Sequence, residues 1–153
     1  MTTRPQDAPD KPYEPFHLHA TATLWLASWR STGVTLAEEV TYDDLAARIP
    51  VEIAAQWSAF LAWEGDTLVG LLALKPATSC LDQLFILPQA QGRGIGAGLL
   101  DRAKREMPDG VWLRTVAANA GARRFYERHG FRHTETVADA RLGHEIAIYR
   151  WPA

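Results

Sequence analysis

The chain has 153 residues, 47% of them hydrophobic and 22% charged, which is long enough for one domain with a substantial core. A formal net charge of −2 gives no sign of a nucleic-acid-binding surface. The single cysteine excludes an intramolecular disulfide framework and favours a reducing compartment. No apolar run approaches the roughly 20 residues of a membrane span, and no secretory signal is evident. We therefore expect a cytoplasmic protein that binds neither membranes nor nucleic acid.

The N-terminal third is predicted to contain a tail and two helices. Residues 1–15 hold four prolines among polar residues, which favours a flexible tail before a single domain of residues 16–153. Apolar residues at helical spacing predict a helix over Thr21–Ser31. Thr41 has the character of a helix N-cap, and the helix that it opens is predicted to end before Pro50.

The middle of the chain is predicted to form three strands. Two of them, Trp57–Trp63 and Leu68–Leu74, are joined by the turn signal Glu64-Gly65-Asp66-Thr67 and should form a hairpin. A third strand over Leu81–Leu87 is stopped by Pro88. Cys80 lies at the start of that strand, where a small buried residue is a better interpretation than a catalytic thiol.

The C-terminal half alternates strands and helices. Helices are predicted over Ile95–Met107 and Ala118–His129, with a strand over Val111–Val116 between them. Phe131–Val137 and Glu145–Trp151 should close the chain as an antiparallel pair. The first of these helices should make the strands before and after it parallel neighbours, so we predict a mixed α/β fold of the α+β type with helices on both faces of the sheet.

A glycine-rich loop between the third strand and the following helix is the most informative segment. Glycine occupies positions 92, 94, 96 and 98. Glycine allows the backbone to approach a ligand closely, and a helix N-terminus offers unpaired N–H groups and a favourable dipole for an anion. The sequence therefore predicts a phosphate cradle.

Two common phosphate motifs fit this loop poorly. A P-loop would end in Gly-Lys-Ser or Gly-Lys-Thr, whereas this loop ends in Gly96-Ala97-Gly98. The segment Gly92–Ala97 satisfies the permissive dinucleotide pattern, but the next strand ends Arg114-Thr115-Val116-Ala117 without the expected carboxylate. A nicotinamide-dependent enzyme stays as a weakly supported alternative.

Two sequence motifs, found in the same order as the signatures of the GNAT N-acetyltransferase superfamily, resemble those signatures. The resemblance extends from about Trp57 to Trp151. The first is Gln91-x-x-Gly94-x-Gly96, and the second runs from Asn119 through Phe125-Tyr126 to Gly130-Phe131. The resemblance implies a mixed, mostly antiparallel sheet with a splayed parallel strand pair.

The resemblance also implies acetyl-coenzyme A as the acyl donor, with no metal. The pyrophosphate would bind backbone N–H groups of the glycine loop with help from Arg93, and the pantetheine arm would add to the strand before the loop like a further strand. The expected coenzyme-binding residues are Leu84, Phe85, Ile86, Gln91, Gly92, Arg93, Gly94, Ile95, Gly96, Ala97, Asn119 and Tyr126. His17 and His19 have no further ligands nearby and do not indicate a metal site.

Two residues are candidates for catalysis. Tyr126 matches the family position that protonates the departing thiolate. Some protein-acetylating members carry a glutamate five residues before the asparagine, but this chain has Arg114 there. Asp82 is our substitute candidate for the general base; Glu38 and Glu39 are weaker ones.

The function implied is direct transfer of an acetyl group to a primary amine. The alternative is a non-catalytic acyl-coenzyme A binding or sensing domain. Aminoglycosides, polyamines, amino acids, protein lysines and protein N-termini all remain open as acceptors. Trp25, Trp29 and Arg30 could line an acceptor pocket, although core packing is the simpler interpretation of the tryptophans.

The N-terminus departs from the family pattern, which usually opens with a strand after an Arg-Pro-like start that Thr3-Arg4-Pro5 only faintly matches. We expect that the first strand is missing or displaced to Phe16–His19. An absent strand would expose a sheet edge and favour a homodimer.

Overall fold

The computed structural model describes residues 10–31, 40–139 and 143–152. Within them the chain forms four helices and seven strands. The helices are α1 (Leu18–Ser31), α2 (Tyr42–Ala55), α3 (Ile95–Glu106) and α4 (Ala120–Arg128). The strands are β1 (Asp10–Pro12), β2 (Ser58–Glu64), β3 (Thr67–Lys75), β4 (Cys80–Ile86), β5 (Val111–Val116), β6 (Arg132–Asp139) and β7 (His144–Trp151). No helix in this part of the chain is long and apolar enough to cross a membrane.

The seven strands form one mixed sheet in the order β1-β2-β3-β4-β5-β7-β6. Every neighbouring pair is antiparallel except β4 and β5. The predicted fold class, the β2–β3 and β6–β7 hairpins and the parallel pair across α3 are therefore confirmed.

Helices cover the sheet on two sides. Alternation along β3 directs Leu71 and Ala73 toward α1 and α2, whereas Leu72 and Leu74 pack in a separate cluster with α3 and α4. Because both faces of β3 are covered, almost all of its residues are buried and apolar. Trp57 joins the cluster beneath α1 and α2.

Helix α2 does not end at Pro50 as the sequence predicted, but continues to Ala55. Proline inside a helix removes one hydrogen-bond donor and crowds the preceding turn. Here Pro50 is exposed, while Ile49 on the inner side is 1% exposed and packs with the partly buried Ile53 in the cluster beneath α1 and α2. Tertiary packing therefore keeps the helix intact across the proline.

The N-terminal prediction needs two corrections. The strand β1 is present, with Asp10 opposite Ala62, so residues 10–12 are part of the sheet rather than of a tail. Phe16 and His17 belong to a short 3₁₀ turn and Leu18 and His19 to α1, so no strand forms at Phe16–His19. The β2 edge is covered by β1, which removes the reason given for a homodimer. Residues 1–9, including Thr3-Arg4-Pro5, lie outside the described residues.

Candidate active site

The parallel pair opens into a gap soon after it begins. Only Cys80 and Leu81 of β4 have partners in β5. The Leu87 N–H donates to the Val69 carbonyl of β3 at 2.8 Å, and backbone groups alternate in direction along a strand. Leu84 and Ile86 therefore direct their N–H and carbonyl groups to the β5 side, into the gap.

The glycine loop follows directly and leads into α3. Gly92 and Gly94 have φ values of +83° and +82°, a conformation that strains residues with side chains. Gly94 is the N-cap of α3, and its carbonyl accepts the Gly98 N–H at 3.1 Å. A side chain at Gly92 would meet nothing within 4 Å, so the loop presents backbone to open space at the start of a helix. This geometry suits an anion.

Gly96 has a different role from the other loop glycines. A Cβ atom placed there would lie 3.3 Å from Cζ of Phe125 and 3.6 Å from Cγ1 of Ile86. The absence of a side chain lets α4 pack on the first turn of α3. The loop, the end of β4 and α4 are thereby brought into one cluster.

The carbonyl of Ile86 accepts two hydrogen bonds from outside the sheet. Ser28 Oγ of α1 and Nε2 of Gln91 each donate to it at 3.2 Å. A carbonyl oxygen has two lone pairs, so its acceptor capacity is filled. Gln91, predicted to bind the coenzyme, thus has its side chain engaged at the end of β4.

The Arg93 guanidinium is held by two neighbouring groups. Nη1 donates to Oε1 of Glu64 at 2.8 Å, and Nη2 donates to the Gln89 carbonyl at 3.0 Å. Its charge is therefore paired with a carboxylate of the β2–β3 hairpin. Contact with a phosphate would require the guanidinium to leave or share this partner.

Tyr126 lies on the buried side of α4 and is 7% exposed. Its ring contacts Phe131 and Tyr149 edge-on or tilted, at centroid distances of 5.7 and 6.3 Å. Burial raises the pKa of the Tyr126 phenol well above its usual value, so the hydroxyl keeps its proton at neutral pH. It is a potential proton donor.

Asn119 begins α4 as its N-cap, with Oδ1 accepting the Ala122 N–H at 3.2 Å. The side-chain oxygen is thus used to cap the helix, and the amide nitrogen is the group left for a ligand. Asn119 precedes the first helical residue, so helical spacing alone does not place it on the same face of α4 as Tyr126.

Asp82 is the extra residue of a β-bulge, since Ala73 and Leu74 pair with Gln83 and Leu81. Its carboxylate faces α1 and α2. Oδ2 accepts the Trp57 Nε1–H at 2.8 Å, and Oδ1 lies 3.6 Å from Lys75 Nζ.

Arg48 reaches the same carboxylate from α2, with Nη2 3.9 Å from Oδ2 of Asp82. Its guanidinium lies 5.1 Å from the ring centre of Trp25 and 6.0 Å from that of Trp57. Arg114, at the position of the family glutamate, is exposed on β5 and pairs with Asp139 at 3.3 Å. Glu38 and Glu39 lie outside the described residues.

Trp25, Trp29 and Cys80, which the sequence offered as candidates for an acceptor pocket or a catalytic thiol, are partly or fully buried in the structure. Trp25 packs in the core, 5.7 Å from Trp57 and 5.5 Å from Phe85 between ring centres, which confirms the core interpretation. Trp29 is partly buried beside it. Cys80 is 5% exposed, and burial together with the charge of Asp82 raises its pKa to about 11, so it carries no reactive thiolate.

The two histidines of the N-terminal segment are each engaged with neighbours. His17 Nδ1 accepts the Glu14 N–H at 3.0 Å, and His19 Nδ1 lies 2.9 Å from the Tyr42 hydroxyl. Among the described residues, no group of three or more His, Cys, Asp and Glu side chains converges as a metal site would require.

Sequence reasoning missed Ser28 and Arg48. Ser28 stands out only as one of two hydroxyl residues, with Thr21 two turns earlier, on the mainly apolar buried face of α1. Arg48 has a local signal only for its i,i+4 ion pair with Glu52; its contacts with Trp25, Trp57 and Asp82 come from residues distant in the chain.

Comparison with known proteins agrees with this geometry. A family model described as an acetyltransferase (GNAT) domain matches residues 26–141. No match was found among curated proteins.

Several solved structures share the fold. An acetyltransferase from Thermus thermophilus is 24% identical, with a TM-score of 0.74 over 95% of this chain and 96% of that chain. The PaiA N-acetyltransferase from Thermoplasma acidophilum, in complex with coenzyme A, is 20% identical, with a TM-score of 0.72 over 92% and 96%. A spermidine N-acetyltransferase from Vibrio cholerae, in complex with coenzyme A and spermine, is 18% identical, with a TM-score of 0.70 over 93% of each chain. The family match covers more than half of the sequence, and the chain belongs to the GNAT acetyltransferase family.

Proposed function

We propose that the protein is a cytoplasmic N-acetyltransferase that moves an acetyl group from acetyl-coenzyme A directly to a primary amine. The observation that carries this proposal is the exposed β4 edge beyond Leu81, which leads into a positive-φ glycine loop at the N-terminus of α3. An extended, amide-bearing chain ending in a pyrophosphate fits such a combination.

The donor would bind along β4 and the loop. Backbone N–H groups over residues 92–97 are suited to the pyrophosphate, and those at Leu84 and Ile86 to the amides of the pantetheine arm. Because the Ile86 carbonyl already accepts two bonds, the acceptor that we assign to the arm is the carbonyl of Leu84.

Starting from an ammonium, the proposed reaction removes two protons from nitrogen and delivers one to sulfur: the first leaves before attack, and the second, lost as the amide forms, can return to the phenolate that Tyr126 leaves when it protonates the thiolate. The neutral amine nitrogen attacks the thioester carbon, a C–N bond forms and the C–S bond breaks with its electron pair on sulfur. Tyr126 is our candidate for donating a proton to that thiolate. The phenol is protonated at neutral pH, but burial raises its pKa and makes it a weaker acid, so donation depends on the fold placing the hydroxyl against the sulfur.

Asp82 is our candidate for accepting the proton that the ammonium must lose, directly or through a water molecule. It lies on β4 at the point where pairing with β5 has ended, on the face toward α1 and α2. Trp57 and Lys75 hold the carboxylate in place. The same contacts compete with an incoming amine, so acceptor binding would have to loosen at least one of them.

A non-catalytic acyl-coenzyme A sensor is the second candidate. Arg114 in place of a carboxylate, and an Asp82 already paired with Lys75 and Arg48, favour it. Both candidates use the same donor site.

Two measurements test the proposal. Calorimetry with coenzyme A and acetyl-coenzyme A should give binding at one site per chain. Thiol release from acetyl-coenzyme A should then depend on an added amine, tested with spermidine, an aminoglycoside, free amino acids and peptides with a lysine or a free N-terminus. Binding without turnover on any acceptor would favour the sensor, and absence of binding would refute both candidates.

A further inference from the structure

Ser28 joins α1 to the end of β4, directly before the glycine loop of the candidate coenzyme site. It belongs to α1, which packs on the face of the sheet toward Asp82, and its hydroxyl donates to the carbonyl at the end of β4. The glycine loop begins a few residues later and donates to the same oxygen through Gln91. One carbonyl oxygen thus links a helix, a strand end and a loop.

The Ile86 carbonyl lies where a small displacement would alter both the glycine loop and the unpaired edge of β4. Ile86 is the last residue of β4, and its backbone groups point into the gap between β4 and β5. A shift of its carbonyl would change the position of the Leu87–Gln91 turn that carries the loop. It would also change the edge along which the pantetheine arm is proposed to bind.

The burial of Ser28 indicates that its hydroxyl depends on this bond. Ser28 is 5% exposed and lies beside Leu24 and Trp25 on the inner face of α1. A buried hydroxyl without a partner is costly, so the bond to Ile86 fixes the rotamer of Ser28 and the distance between α1 and the strand end. Thr21, two turns earlier on the same helix, is 1% exposed and its hydroxyl has no hydrogen-bond partner.

We propose that Ser28 is a positioning residue of the coenzyme site. Through the Ile86 carbonyl it holds the glycine loop to α1, so that the helix on the acceptor side and the loop on the donor side move as one body. The proposal rests on the proposed function for its consequence in coenzyme binding, but the mechanical link is independent of any ligand.

The test compares Ser28→Ala with Thr21→Val, which removes an unpartnered hydroxyl from the same helix face. Amide hydrogen exchange of the ligand-free protein is followed in peptides covering residues 87–98. We expect exchange there to be about three- to tenfold faster in Ser28→Ala, the effect of losing one hydrogen bond, and unchanged in Thr21→Val. Equal exchange in Ser28→Ala and the unmodified chain would overturn the proposal.

Calorimetry with coenzyme A gives the second readout. The Kd should rise about three- to tenfold in Ser28→Ala and stay constant in Thr21→Val. Faster exchange with an unchanged Kd would show that Ser28 holds the loop to α1 but would refute its role in positioning the coenzyme site. If the unmodified chain binds no coenzyme A, the proposed function fails, and the exchange experiment still decides whether Ser28 holds the loop.

Should Ser28→Ala fail to fold, Gln91→Ala tests the junction from its exposed side. It removes the other donor without altering the core, and exchange over residues 87–98 should again accelerate. Unchanged exchange in that variant would contradict the proposal.

Discussion

At the scale of single residues, Tyr126 combines deep burial with a hydroxyl that holds its proton. The hydroxyl adds little to the packing of the ring, so removing it isolates the chemistry. We expect Tyr126→Phe to lower amine-dependent thiol release by about 10²-fold, a typical effect of losing a general acid. Coenzyme A affinity should change less than about twofold, since its proposed contacts are with backbone.

Tyr149→Phe is the matched control for Tyr126→Phe. The Tyr149 hydroxyl donates to Glu127 Oε1 and accepts from Arg123 Nε, so its loss should lower thermal stability while turnover per folded molecule persists. Equal turnover in Tyr126→Phe and the unmodified protein would remove Tyr126 from the mechanism.

Cys80 gives a pH dependence with a defined sign. Its pKa is raised from an ordinary 9.0 to about 11 in the folded protein, mainly by burial. The unfolded chain therefore releases the thiol proton first as pH rises. The contribution to stability is complete below pH 9 and is lost between pH 9 and about 11, at most about 2–3 kcal/mol.

Urea unfolding of the unmodified protein and of Cys80→Ala at several pH values measures this effect. Tyr126 and Tyr149 also have raised pKa values, but they titrate in both proteins and cancel in the difference. The stability difference between the two proteins should shrink as pH rises from 9 to 11. A constant difference would show that the thiol does not titrate as described.

At the scale of secondary-structure elements, α2 carries a proline in its interior. Pro50 leaves the carbonyl four residues earlier without its helical donor, and it is exposed, so a smaller residue there disturbs no core contact. We expect Pro50→Ala to raise the free energy of unfolding by about 1–3 kcal/mol. Part of the gain will be offset because proline also restricts the unfolded chain.

Chemical denaturation measures the effect of Pro50→Ala, with Val51→Ala as a control at the neighbouring exposed position. A loss of stability in Pro50→Ala would show that the proline supports a bend that the packing of Ile49 requires.

At the scale of the whole molecule, β1 closes one edge of the sheet with only three residues. Backbone pairing with β2 holds it, and Asp10 also lies 3.7 Å from Nε of Arg102 on α3. We expect a chain that begins at Tyr13 to expose the β2 edge and to self-associate. A chain that begins at Asp10 should behave like the full protein.

Sedimentation velocity over a range of concentrations distinguishes these two shortened chains. Identical monodisperse profiles for both would mean that β1 does not protect the edge. The full chain provides the reference for the oligomeric state.

The sequence predicted the parts of this fold that local pattern controls. The apolar runs of β2 and β3 with the turn between them, the crossover through α3 and the glycine loop each have a signal within about a dozen residues. By contrast, β1 reads Asp-Lys-Pro and has no strand pattern; it is a strand because β2 offers an unpaired edge. The path of α2 past Pro50 depends likewise on packing that no local rule contains.

The candidate site likewise has one part that the sequence predicted and another that only the folded structure shows. The loop residues were found by their spacing, and the roles assigned to them in coenzyme binding remain predictions. The link from Ser28 to Ile86 joins residues 58 positions apart, and Arg48 meets Trp25 and Asp82 only in the folded chain. Contacts of this kind carry no periodic signal, because either partner could stand at many positions along its element.

The two-residue pairing between β4 and β5 divides the sheet into a four-stranded panel, β1 to β4, and a three-stranded panel, β5 to β7. Under the proposed function the donor fills the gap between these two panels. Its pantetheine arm pairs with β4 like a further strand when acetyl-coenzyme A binds and leaves when coenzyme A is released. The two panels would then be joined across the whole sheet only while the coenzyme is bound, so each catalytic cycle would also join and separate them. In a single-molecule pulling experiment across the gap between β4 and β5, the resistance to separation of the two panels should be higher with coenzyme A than without it.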